Sequence, residues 1–176
     1  MAISVGSTAP SFSLKGVDGE QYSLDTFADK KVVAVIFSCN HCPYVMAWED
    51  RMIAIQRGYE GRGVALIAIN SNNAAAYPAD SFENMVKRSQ DKSFNFPYVR
   101  DETQEVAKAY AATRTPEVFL LDAQRIVRYH GAIDDNYDDP NAVREHYLRN
   151  ALDAVLEGKT PPRAETPPVG CTVKWK

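Results

Sequence analysis

The sequence predicts an α/β domain with a mixed central sheet, helices on both faces, an N-terminal β-hairpin and an extended C-terminal tail. Three apolar, β-branched runs at residues 32–37, 64–69 and 118–121 have the composition of strands buried on both faces. Segments with apolar residues at helical spacing alternate with these runs. Such alternation of strands and helices indicates a sheet covered by helices on both sides.

Length and charge narrow the classes of function. The chain has 176 residues and a formal net charge of -3, which suits one globular domain and lacks the basic surface that nucleic acids or anionic membranes attract. The apolar runs 32–37 and 64–69 are too short to span a bilayer, and the first six residues lack the features of a secretory signal. We therefore expect a cytoplasmic protein with neither a nucleic-acid nor a membrane partner.

The N-terminal half is predicted to contain a hairpin, two strands and three helices. Residues 12–14 and 21–24 flank a glycine-containing turn and form the hairpin. The strand 32–37 is followed by a helix that starts at Pro43 and stops near Gly58. After the second strand, Asp80 is predicted to cap a helix that continues to about Ser89, and Asp101 to cap a shorter one.

The C-terminal half is predicted to contain two strands, one helix and the tail. The run 118–121 turns into 125–131, where apolar and polar residues alternate as in a half-exposed antiparallel strand. A helix is expected from about Pro140 to Glu157. We divide the chain into a domain at 1–158 and an extended tail at 159–176, which holds four prolines.

Cys39 and Cys42 form a C-x-x-C pair between a buried strand and the start of a helix. Unpaired N–H groups and the positive partial charge at a helix N-terminus favour a thiolate over a thiol. Two intervening residues let the second sulfur reach the first, so the pair is suited to thiol-disulfide exchange. We expect Cys39 to be the exposed nucleophile and Cys42 the more buried resolving cysteine.

His41 lies between the two cysteines and has two interpretations. A protonated or hydrogen-bonding imidazole would stabilise the Cys39 thiolate and make the disulfide more oxidising. The alternative is a solvent-facing residue at the start of the helix. We favour the tuning role.

A zinc site is the competing interpretation of a C-x-x-C pair, but zinc needs four ligands. The other cysteine and the two other histidines, Cys171, His130 and His146, are distant and unrelated in spacing. A structural disulfide is disfavoured in a reducing compartment. We expect no metal and no cofactor.

The pattern strand, Cys39-Asn40-His41-Cys42-Pro43, helix, followed by Thr115-Pro116 before a third apolar strand, resembles the thioredoxin superfamily. The opening at residues 6–14 resembles the alkyl hydroperoxide reductase/thiol-specific antioxidant, or peroxiredoxin-like, branch. The resemblance spans about residues 5–158 and implies a thioredoxin-like fold. It also implies that Pro116 is cis and packs against the dithiol. Thr115 and Pro43 would then line the surface that binds the partner.

The ending at residues 170–175 resembles that of peroxiredoxin-like proteins with a thioredoxin-type motif, in which Cys42 would be the peroxidatic cysteine. The usual residues of a peroxidase are replaced, however. Cys39 stands where that family has Thr or Ser, and Val35 stands where it has Pro. Arg114 lies two residues from the position of the expected arginine. Without these family residues, polarisation of the peroxide and activation of the thiolate lose the groups that usually support them.

Glu117 and Cys171 are auxiliary candidates, each with an alternative interpretation. Glu117 follows the expected cis-proline and could move a proton to or from Cys42, or it could be a surface residue at the start of a strand. Cys171 could resolve a disulfide or sulfenic acid, because an extended tail can cross the domain, or it could be a small buried apolar residue.

The sequence therefore predicts an oxidoreductase that exchanges thiols and disulfides through Cys39 and Cys42. Its expected partners are protein or small-molecule disulfides and a thiol that donates electrons. The first alternative is a thiol peroxidase with an antioxidant role, in which Cys42 reduces peroxides and Cys39 or Cys171 resolves the sulfenic acid. The second is a redox-sensing or metal-binding module without catalytic activity.

Overall fold

A computed structural model describes residues 3–176 of the chain. The strands, in chain order, are β1 Ser13–Gly16, β2 Gln21–Ser23, β3 Val32–Ser38, β4 Val64–Asn70, β5 Tyr98–Arg100, β6 Arg114–Thr115, β7 Glu117–Leu121, β8 Val127–Gly131 and β9 Cys171–Thr172. The α-helices are α1 Pro43–Tyr59, α2 Phe82–Lys92, α3 Glu105–Tyr110 and α4 Tyr147–Leu156. Three of the predicted helices and all the predicted strands lie close to their expected positions.

Seven of the strands form one mixed sheet in the order β2-β1-β5-β4-β3-β7-β8. Within this sheet β3 runs parallel to β4 and antiparallel to β7. The predicted hairpin is present as β1 and β2, and β1 also pairs with β5, a strand that the sequence pattern does not predict. The remaining strands, β6 and β9, form a separate two-stranded sheet.

Both faces of β3 are buried because the core is divided into two layers. Val32, Ala34 and Ile36 belong to the layer that α1, α2 and α4 contribute to, whereas Val33 and Val35 belong to the layer that contains α3. Successive side chains of a strand point to opposite faces, so a strand covered on both sides must be apolar throughout. The predicted mixed sheet with helices on both faces is confirmed.

The last helix is shorter than predicted. A single turn of 3-10 helix occupies Pro140–Ala142, and α4 begins only at Tyr147. The intervening backbone pairs with the loop after β8 instead of with itself. There Arg144 donates to the carboxylate of Asp135, and Asp135 donates to the carbonyl of Glu145.

Two predicted caps also differ from the structure. The N-cap of α2 is Ser81, whose hydroxyl accepts from the Asn84 N–H, and Asp80 is buried one residue earlier. The N-cap of α3 is Gln104, although the carboxylate of Asp101 does accept from N–H groups in the first turn of α3. In both cases the acidic residue precedes the N-cap residue, and its buried carboxylate accepts hydrogen bonds from other segments of the chain.

The tail after α4 is extended, as predicted, and it returns to the domain. Thr166 and Ala164 pair with the backbone of His130 in β8, and β9 then pairs with β6. No helix in the described part of the chain is both long and apolar enough to cross a membrane.

Candidate active site at the Cys39–Cys42 loop

The register of the central strands brings the two predicted motifs together. β3 ends at Ser38 and α1 begins at Pro43, so the C-x-x-C pair occupies the connecting loop. β7 runs antiparallel to β3 with Glu117 opposite Phe37, so the start of β7 lies beside the end of β3. The residues just before β7, Thr115 and Pro116, therefore meet the cysteines.

Thr115 contacts both cysteines. The Cys39 sulfur lies 3.5 Å from the Thr115 hydroxyl, and the Cys42 thiol lies 3.5 Å from the Thr115 carbonyl oxygen, to which it can donate. The peptide bond between Thr115 and Pro116 is cis, which confirms the expectation from the resemblance. Pro43 occupies the first position of α1, as predicted.

The expected difference in exposure between the two cysteines is wrong. Cys39 is 2% exposed and Cys42 is 3% exposed, so neither sulfur is open to solvent. They form a small apolar cluster with Val45, against which Tyr44 and Cys171 also pack. Cys171 belongs to the tail, which returns to this site from the other end of the chain.

Cys42 has the surroundings that stabilise a thiolate. The hydrogen bond from the Cys39 thiol lowers the pKa of Cys42 well below its usual value, although burial opposes this effect. The Cys171 thiol and the N–H groups of Val45 and Cys171 lower it further. The Thr115 carbonyl favours the protonated form, but the donors outnumber this single acceptor.

Cys39 has the opposite tendency. Its hydrogen bond to Cys42, together with burial, raises the pKa of Cys39, and the nearby charge of Asp80 acts in the same direction. The Thr115 hydroxyl opposes the shift only in part. The two shifts have opposite directions, so the surroundings favour the thiol form of Cys39 and the thiolate form of Cys42.

A buried polar network under the loop was not anticipated. Asp80 is 0% exposed, and its carboxylate accepts from the Asn40 N–H at 2.8 Å and from the Asn72 side chain at 3.0 Å. The Tyr98 hydroxyl donates to the Asn40 side chain at 2.8 Å. The signal available in the sequence was the polar run 70–73 directly after the buried strand β4. This network fixes the backbone between the two cysteines.

His41 is directed toward that network. Its Nδ1 lies 3.4 Å from the Asp80 carboxylate, while 47% of its side chain remains exposed. The structure thus gives His41 a buried acidic neighbour through which it can affect the loop. Tuning of the Cys39 thiolate by His41 stays a prediction.

Glu117 is 1% exposed, so its interpretation as a surface residue is wrong. One carboxylate oxygen accepts from the N–H groups of Thr113 and Arg114, both at 3.0 Å, and the other lies 2.6 Å from Nε2 of His130. Burial alone would lower the pKa of His130, but the hydrogen bond and charge of Glu117, assisted by Glu165, raise it above the usual value. Glu117 therefore holds β6 in place.

Cys171 reaches the site, as one of its two interpretations required. It lies directly opposite Thr115 in the β6–β9 pair and packs against the two cysteines while remaining partly exposed. Arg114, the residue nearest to the arginine expected in a peroxidase, donates to the Gly170 carbonyl at 3.4 Å. Burial and Cys42 raise the pKa of Cys171 to about 11.

The site is thus a cluster of three thiols between β3, α1, β6 and β9. Such a cluster can carry out thiol-disulfide exchange without an added group. Within residues 3–176, no group of three or more His, Cys, Asp or Glu side chains is arranged to hold a metal ion. The metal-binding alternative therefore lacks a ligand set in this region.

Comparison with known proteins agrees with this chemistry. A family model described as Redoxin matches residues 4–145. The chain is also similar to the thiol-disulfide oxidoreductase ResA of Geobacillus thermodenitrificans, with 28% identity over 123 residues. The aligned region is 69% of this chain and spans 65% of the length of that relative.

Solved structures resemble the whole chain or its core. A hypothetical protein from Sinorhizobium meliloti 1021 is 37% identical with a TM-score of 0.93, and the alignment covers 100% of this chain and 97% of that one. The thioredoxin domain of a thiol-disulfide oxidoreductase from Bacteroides vulgatus is 18% identical with a TM-score of 0.62, covering 72% and 86% of the two chains. The latter likeness shows that the fold is thioredoxin-like, as predicted.

Proposed function

Because the chain belongs to the Redoxin family, we propose that it is a thiol-disulfide oxidoreductase that works through Cys39 and Cys42. The observation that carries this proposal is the position of both sulfurs 3.5 Å from Thr115, at the junction of β3 and α1. A helix N-terminus stabilises a thiolate there, and the second sulfur is near enough to complete the exchange.

In the proposed reaction the roles of the two cysteines are the reverse of those predicted from the sequence. The Cys42 thiolate attacks one sulfur of a substrate disulfide and expels the other as a thiolate. Cys39 then loses its proton and attacks the Cys42 sulfur, which releases the second substrate thiolate and leaves a Cys39–Cys42 disulfide. The position of Cys42 at the N-cap of α1 and the hydrogen-bond donors around its sulfur support this order.

Substrates of this reaction are disulfides, and a thiol must reduce the enzyme again. Thr115 and Pro116 border the dithiol and would position an extended partner, and Pro43 fixes the start of the helix on the other side. A partner that pairs with β6 must first displace β9, which already occupies that edge. Small disulfides need only a local opening, and we expect them to react faster than folded proteins.

The test uses the full chain with Cys171→Ser, so that only the dithiol can react. Mixing this reduced variant with a chromogenic aromatic disulfide should release two thiolates and leave an intramolecular disulfide. Adding Cys39→Ser should stop the reaction at one thiolate and trap a mixed disulfide on Cys42. Adding Cys42→Ser instead should abolish the fast reaction. Circular dichroism and thermal unfolding of each variant serve as the folding controls.

A fast reaction that survives Cys42→Ser but is lost with Cys39→Ser would restore the order of attack that the sequence suggested. A fast reaction that survives both substitutions would overturn the function. Both outcomes are distinguishable because intact mass identifies the cysteine that carries the aromatic group.

A second candidate, peroxide reduction at Cys42, is favoured by one observation, the stabilised thiolate at the N-cap of α1. Against it, the Arg114 side chain is directed to the tail. Reduced protein mixed with one equivalent of hydrogen peroxide, alkylated rapidly and weighed, separates the two functions. Oxidation much faster than that of glutathione would support the peroxidase, and oxidation at a similar rate would exclude it.

The cytoplasmic location and the antioxidant role remain predictions. Cell fractionation tests the first, and the peroxide sensitivity of cells that lack the protein tests the second. A redox sensor without turnover would react once with a disulfide and would not be reduced by cellular thiols. Repeated turnover with a thiol donor therefore separates the enzyme from the sensor.

A further inference from the structure

The last residues of the chain occupy the edge beside the cis-proline. β9 pairs antiparallel with β6, so that Cys171 lies opposite Thr115. On one side of this pair the Val173 N–H donates to the Thr113 carbonyl at 3.0 Å, and on the other the Arg114 guanidinium donates to Gly170. The backbone around Cys171 is thus held on both sides.

Gly170 allows the tail to approach this closely. A Cβ atom at this position would lie 2.0 Å from the Thr115 carbonyl oxygen and 2.6 Å from its carbon. Both are backbone atoms that cannot swing aside, so any other residue here would lift the tail away from β6. Gly170 therefore allows the backbone at Cys171 to lie close to Cys39 and Cys42.

Further bonds fix the end of the tail. The Lys174 N–H donates to the Asn72 side chain at 2.9 Å, and the Gln104 side chain donates to the Lys174 carbonyl at 2.9 Å. The Lys176 N–H donates in turn to the Gln104 side chain at 3.1 Å. These contacts hold the backbone on the C-terminal side of Cys171 against the domain.

The three sulfurs differ in access. Cys39 and Cys42 are 2% and 3% exposed, whereas Cys171 packs against them and keeps part of its surface in solvent. A thiol or disulfide that approaches from outside meets Cys171 before it meets the pair. The buried dithiol therefore has one partly exposed neighbour of the same chemistry.

We propose that Cys171 is a third redox cysteine, whose thiol exchanges with the Cys39–Cys42 disulfide. The exchange places the disulfide at the partly exposed sulfur of Cys171. The Cys171 thiolate attacks the Cys42 sulfur. The bond between Cys39 and Cys42 breaks, a Cys42–Cys171 bond forms, and the proton lost by Cys171 ends on Cys39. The step involves no net oxidation, and it rests on the proposed function, whose disulfide substrate supplies the first disulfide.

The surroundings favour the next step as well. An external thiolate attacks the partly exposed Cys171 sulfur and expels Cys42, which is a good leaving group because its thiolate is stabilised by donors. In the reduced enzyme, burial and the negative charge of Cys42 keep Cys171 protonated. That charge disappears once Cys42 is in a disulfide, which makes Cys171 easier to ionise when it must attack.

The test locates the disulfide in the full wild-type chain. Reduced protein receives one equivalent of 2-hydroxyethyl disulfide, and the reaction is stopped with acid and then N-ethylmaleimide under denaturing conditions. Trypsin releases both active-site cysteines in the peptide 32–51 and Cys171 in the peptide 164–174. We expect the two peptides joined by a disulfide, with the maleimide on Cys39.

Three results separate this inference from the function on which it rests. Joined peptides support it. A disulfide confined to the peptide 32–51, with Cys171 alkylated, overturns the inference and leaves the function intact. Protein that forms no disulfide at all overturns the function.

The variant Cys39→Ser provides an independent check, because it should form the Cys42–Cys171 disulfide directly. The oxidised variant Cys171→Ser should be reduced at least about tenfold more slowly than wild type by a bulky protein thiol, since its disulfide is buried. Thr172→Ser, in the same strand, is the control and should behave as wild type. Equal rates of reduction for wild type, Cys171→Ser and Thr172→Ser would overturn the inference.

Discussion

Substitution of Glu117 by Gln tests how the strand beside the dithiol is held. The side chains of Glu117 and His130 are 1% and 18% exposed, so solvent screens their pair very little. Gln can still accept from the two backbone N–H groups, but it loses the charge-assisted bond to His130. Such a bond contributes about 1.5–3 kcal/mol. For a chain of this size that corresponds to a fall in Tm of about 3–12 °C.

The effect must depend on pH in one direction. The pKa of His130 is raised in the folded protein, so the stability contributed by the pair is fully present below the unfolded value, about 6.5, and is lost as pH rises through the folded pKa. Glu117→Gln should therefore cost most near pH 6 and progressively less toward pH 9. Urea unfolding of both proteins at several pH values measures the difference.

Glu165→Gln is the matched control, because Glu165 contacts the other nitrogen of the same histidine at 3.3 Å but is 65% exposed. An exposed ion pair contributes little, so we expect a change below about 1 kcal/mol. Equal losses for the two variants, or a loss for Glu117→Gln that does not change with pH, would refute this account of the pair.

Three further predictions concern the cluster of thiols. Gly170→Ala should lift β9 and speed alkylation of the dithiol by iodoacetamide, measured by mass spectrometry of the labelled peptides. Gly58→Ala is the control and should leave the rate unchanged, because a Cβ atom there meets open space. Asp80→Asn should lower the pKa of Cys39, because it removes a negative charge that raises it; a pH titration of thiol alkylation that gave the wild-type value would contradict this. The rate at which reduced Cys42 is alkylated should fall little between pH 8 and pH 6, because its thiolate is stabilised. For an ordinary thiol the rate falls about 100-fold over this range. A fall of that size for Cys42 would show that its thiolate is not stabilised.

Local patterns were sufficient to predict most of the fold. The two-sided burial of β3 and β4 followed from uninterrupted apolar runs, and the start of α1 followed from Pro43. β5 was missed because three residues are too few to show a period, and it is a strand only because β4 and β1 pair with it. The start of α4 was misplaced because the residues before it bond to the loop after β8.

The candidate site was predictable only in part, for a similar reason. The dithiol and the residues Thr115 and Pro116 each have a local signature, and strand register alone brings them together. Asp80 has no such signature, since an acidic residue before a helix is usually an N-cap. Its role under the loop depends on amide donors from two other segments.

The sequence by itself determined the chemistry of this protein, because a pair of cysteines at a strand–helix junction is defined by neighbours along the chain. Only the tertiary structure decided which groups surround each sulfur and which sulfur solvent reaches. Charge and access depend on groups brought in from distant parts of the chain, namely Asp80, Thr115 and the tail with Cys171. Spacing along the chain carries no information about such contacts, because they arise from packing between elements.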